Sequence, residues 1–74
     1  MKLLKTILPI LMLSLYLGIS NGKLALFRKG SAYPLQVYDH SVAAYPSAEQ
    51  KALLEGIPIE NDAHLASLLE DFLS

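Results

Sequence analysis

Residues 6–22 carry no charge, and Ile7, Leu8, Ile10, Leu11, Met12, Leu13, Leu15, Leu17 and Ile19 dominate the run. Lys2 and Lys5 precede it. A basic head before an apolar body reads as a secretory signal, or as an anchor whose lysines stay on the cytoplasmic side. A spanning helix needs about 20 apolar residues, so the run is at the short end, with Pro9 tolerated near its start. Gly18 and Ser20 supply small residues at the spacing a signal peptidase uses, although its usual alanines are missing. Reading the run as a buried core helix leaves too little chain to cover it.

Asn21-Gly22 separates the apolar residues 16–20 from Lys23–Arg28. It is a strong hairpin signal, because a type I′ turn needs positive φ at both central positions. The turn draws residues 16–20 into a strand while the membrane reading draws them into a helix. The compromise ends the signal or anchor segment at residues 1–15 and starts the folded module at residues 16–74.

Along Lys23–Arg28, Leu24 and Leu26 alternate with Ala25 and Phe27, the pattern of a strand covered on both sides. Lys29-Gly30-Ser31 breaks it. A third strand is expected over residues 35–39, with Leu35 and Val37 on one face and Gln36 and Tyr38 on the other.

After Pro46 the apolar period lengthens from two to about three and a half. Ser47 at N-cap and Gln50 at N3 spell a capping box, and Gly56 stands where a left-handed C-terminal cap belongs, giving a helix of about two turns. Pro58 keeps Ile57 extended, and Ile57 and Ile59 are expected to point into the core. Asn61 caps a second helix whose Leu65, Leu68, Leu69, Phe72 and Leu73 form one stripe, opposite Asp62, Ser67, Glu70 and Asp71. The expected fold is α+β in the order βββαα: a small three-stranded antiparallel sheet, then two short helices.

Length and charge narrow the functions. A chain of 74 residues holds one domain of marginal stability, and without cysteine it has no disulfide or thiolate metal site to reinforce it. From Asn21 onward four basic residues stand against seven acidic ones, a balance of −3. Nucleic acid is therefore not an expected partner, since phosphate binding needs a basic face. Lys23, Arg28 and Lys29 cluster locally and read as a solvated hairpin.

No catalytic, cofactor-binding or metal-binding residues are assigned. Asp39-His40-Ser41 holds the residue types of a triad, but neighbours in extended chain point to alternate sides and cannot converge. His40 and His64 are two ligands where zinc takes three or four. The Glu70 and Asp71 carboxylates diverge on a helix. Gly18, Gly22, Gly30 and Gly56 form no phosphate-binding spacing. What remains is surface. The edges of so small a sheet can accept an extended partner segment. Tyr33, Tyr38 and Tyr45 are the candidate partner contacts, a residue type equally at home packed at a sheet margin.

Residues 21–27, the strand through Val37, Pro46 with Gln50, the run from Leu53 to Ile57 and the closing Leu65 to Phe72 helix together resemble the C-terminal domain of the bypass-of-forespore-C family. The resemblance runs from about Tyr16 to Ser74 and reads as a stand-alone copy of that domain behind a short apolar segment. It implies a regulatory protein of spore-forming Gram-positive bacteria, working outside the cytoplasm or between two membranes. The family's best-known member restrains a signalling serine protease that triggers processing of a late sporulation sigma factor. The implied partner is thus an exported or membrane protein, a serine protease being the family's own example, with residues 1–15 engaging the membrane. No functional residue carries over from the resemblance. A second reading is a small single-pass membrane protein acting through its apolar segment on another membrane protein. Oligomeric state stays open.

Overall fold

The computed structural model describes residues 15–74, and the expected segment 1–15 lies outside them except for Leu15, which opens the first strand. The order is β1 (Leu15–Ser20), β2 (Lys23–Arg28), β3 (Pro34–Ser41), a 3-10 turn (Val42–Ala44), α1 (Ser47–Glu55), β4 (Ile57–Pro58) and α2 (Asp62–Leu73). Among the described residues no helix is long and apolar enough to cross a membrane.

The fold is α+β, with one more strand than expected. Its sheet has four antiparallel strands in the spatial order β3-β2-β1-β4. Asn21 at φ 51° and Gly22 at φ 79° make the hairpin turn, and six uninterrupted pairs run from Ser20↔Lys23 to Leu15↔Arg28. The extra strand forms because Gly56, at φ 90°, turns the chain back along β1 while Pro58 holds Ile57 extended. Leu17 pairs with Ile57 and Tyr16 with Pro58, and the Ile59 N–H donates to the Leu15 carbonyl at 2.9 Å. The order βββαα is thereby corrected: a strand stands between the helices, and β1 is central.

The third strand is also longer than the expected residues 35–39 and less regular. Leu26 pairs with Gln36 but Phe27 with Pro34, which leaves Leu35 as the extra residue of a bulge. A second irregularity separates the pairs Ala25↔Val37 and Lys23↔Ser41.

Both helices form, with one cap as read and one corrected. The Asn61 Oδ1 accepts from the His64 N–H at 2.8 Å, as an N-cap should. The capping box at Ser47 does not form. Pro46 is the N-cap, and the Gln50 amide reaches back to donate to the Tyr45 carbonyl at 2.7 Å instead. Pro46 has no side-chain acceptor, so Gln50 secures the entry to α1 from the preceding backbone.

The core lies on the sheet face carrying Leu17, Leu24 and Leu26, where Val42, Leu53, Ile59 and Phe72 complete it. Leu65, Leu68, Leu69 and Leu73 pack around it as the expected stripe of α2. Leu24, Ala25, Leu26 and Phe27 are all buried, as the two-sided pattern of β2 requires.

Candidate partner-binding surface

In an antiparallel ladder, directly paired residues share a face. The pairs Tyr16↔Phe27, Gly18↔Ala25 and Ala25↔Val37 therefore place these residues on the side opposite Leu17, Leu24 and Leu26. This second face is apolar too. Tyr16 and Phe27 stack with ring centroids 5.2 Å apart and planes 10° from parallel. The pair paves two glycines: a Cβ on Gly18 would stand 3.3 Å from the Phe27 ring, and one on Gly56 would stand 3.1 Å from the Tyr16 ring. Over Gly18, which lies within β1, the Phe27 ring restores apolar cover that the glycine cannot supply itself.

Beside the stack lies an open groove of about 280 Å³, reached by Gly18, Ser31, Ala32 and the outward Leu54. Leu53 of the same helix enters the core, so α1 joins the two sides of the sheet at β1. A shallower concavity of about 480 Å³ runs past Ala66, Leu69, Glu70, Leu73 and Ser74. One helix and its end supply all of that lining, so no set of polar groups converges there.

The outer strand β3 continues the apolar surface. Tyr33 is 81 % exposed just before it, Leu35 is 52 % exposed and Val37 is 47 % exposed within it. No charge occurs from Tyr33 to Tyr38. Beyond one end stand Arg28 and Lys29, both exposed and without an ion pair among the described residues. At the other end the Lys23 ammonium lies 2.9 Å from Asp39 Oδ1.

That hydrogen bond, with the charge behind it, holds the Asp39 carboxyl below the usual carboxylate range. A lowered carboxyl favours the fold above the ordinary carboxylate pKa, and its contribution disappears as pH falls through the lowered value. Full exposure makes it small. Lys23→Gln should return the Asp39 titration, followed by NMR, to the ordinary range; an unmoved midpoint would refute the pairing.

The three tyrosines are placed differently. Tyr33 projects into solvent. Tyr38 packs partly against the core, and burial raises its phenol pKa. Tyr45 donates its hydroxyl to the Phe72 carbonyl at 2.8 Å and meets the Phe72 ring at 5.2 Å, fastening the end of α2. Burial and then Glu49 raise its pKa.

The structure brings none of the other chemistry-bearing residues together. Asp39, His40 and Ser41 are consecutive in β3, and Asp39 is engaged by Lys23. His64 accepts the Glu60 N–H on Nδ1 at 3.0 Å, a role in the start of α2. Among the described residues no three His, Cys, Asp or Glu side chains are grouped to hold a metal ion. Sequence reading missed the Tyr16–Phe27 pair, although the two-residue Asn21-Gly22 turn sets those residues opposite each other. It also missed that Leu35 is a bulge, for which one sequence carries no signal.

The family described as BofC C-terminal domain matches residues 6–74. No curated protein matches the chain.

Proposed function

The chain belongs to the BofC C-terminal domain family, and from that premise we propose that it is a non-enzymatic regulatory module of sporulation that works by binding another protein outside the cytoplasm. The observation that carries this reading is the outer strand β3 with its uncharged, solvent-exposed Tyr33, Leu35 and Val37. A long edge with apolar side chains is a template for another chain unless it is covered or charged. Family membership supports the regulatory role. The basic head and apolar run of residues 1–15 support an address at or beyond the membrane, as an anchored or a secreted protein. An exported serine protease that signals in sporulation is the target class the family resemblance favours.

The second reading, action through the apolar segment on another membrane protein, rests on residues 6–14 rather than on β3. Exchanging residues 6–14 for an unrelated signal or anchor, with Leu15 left in place, separates the two. The module reading expects sporulation timing and protease output in cells to survive the exchange. Loss of regulation from a chain still exported and folded would hand the function to the apolar segment.

A further inference from the structure

Resting on the protein-binding reading above, we infer that β3 is completed by an extended segment of the partner, added as a fifth strand, apolar at alternate positions beside residues 35–38 and acidic where it passes Arg28 and Lys29. β3 is the outer strand of the sheet, so the backbone on its outer side faces no other strand among the described residues. The opposite edge is β4, two residues long and ending in Pro58, which has no N–H to donate. Among the described residues, β3 is the one edge with a ladder long enough for strand addition.

Natural edges are blunted by charge, proline or bulges. Here Pro34 and the Leu35 bulge shape the start of β3, yet Leu35-Gln36-Val37-Tyr38 carries no charge, and its Leu35 and Val37 are about half exposed. The flanking charges choose among occupants. Arg28 and Lys29 are cations without a counter-ion among the described residues, whereas Asp39 is held by Lys23. The end of the edge near the β2–β3 turn therefore favours an acidic group, worth most where solvent is displaced. A second copy pairing through its own β3 would bring Asp39 as its acid, and that carboxylate is already engaged.

The test uses the full chain in detergent and a synthetic nine-residue probe of alternating valine and threonine with two glutamates at one end. The amides of residues 35–38 should shift in NMR spectra and exchange more slowly with solvent. Arg28→Gln with Lys29→Gln should weaken the probe by about tenfold. Leu35→Lys with Val37→Lys should abolish binding while circular dichroism stays unchanged, since neither side chain belongs to the core. The inference is overturned by perturbations confined to the groove or α2, by no perturbation at millimolar probe, by self-association through β3, or by anionic vesicles giving the same β3 response. If a cellular target still binds the Leu35→Lys, Val37→Lys chain, the edge inference fails and the protein-binding reading stands. If the unaltered chain binds no exported protein at all, that reading falls with it.

Discussion

Replacing Leu17 by alanine should unfold the module. Leu17 is fully buried in the central strand, paired with Leu26 on one side and Ile57 on the other, and its side chain belongs to the core shared with Leu24, Leu53 and Ile59. Removing three buried carbons and leaving a cavity costs about 2–5 kcal/mol. A domain this short without disulfides has about 3–5 kcal/mol in all, so the loss consumes most of it. Circular dichroism should show no cooperative melting transition above room temperature. Leu54→Ala is the control: Leu54 is 76 % exposed, and its removal should change stability by less than about 0.5 kcal/mol. Equal melting of the two variants would refute the assigned core.

The second large effect concerns where the chain can be cut. A polypeptide beginning at Leu15 keeps every strand, whereas one beginning at Asn21 loses β1. Because β1 lies between β2 and β4, that loss removes both ladders joining them, along with Leu17 and the Gly18 floor beneath Phe27. The shorter polypeptide should show no cooperative unfolding and fast exchange at all amides, while the longer one should melt as a single unit. The same geometry bears on export. A cut after Ser20 would remove all of β1, and with it the ladders to β2 and β4.

The sequence made much of this fold legible because several signals are local. The Asn21-Gly22 turn sets the β1–β2 register by itself, and Asn61 with the Leu65 to Leu73 stripe defines α2. What could not be read depended on distant partners. Ile57–Pro58 looks like a connector until Gly56 is seen to turn it onto β1, and two residues are too few to show a strand period. The Ser47–Gln50 capping box is defeated because Pro46 takes the N-cap position and the Gln50 side chain turns to donate its amide N–H to the Tyr45 carbonyl. At the candidate surface, residue type alone singles out Tyr33, Tyr38 and Tyr45 and says nothing of where each one sits. Their separate placements, with Tyr33 free and Tyr45 tied to Phe72, follow from packing between elements far apart in the chain.

We propose that β3, the longer of the two outer strands and the one whose Leu35 and Val37 face solvent, is where the module meets its partner. Site-specific photo-crosslinking in sporulating cells tests this most directly, with the probe placed in turn at Val37 on β3 and at the exposed Lys51 on α1. A single adduct with an exported or membrane protein is expected from Val37 and none from Lys51. Equal adducts from both positions, or none from Val37 in cells where the chain is present and regulating, would contradict it.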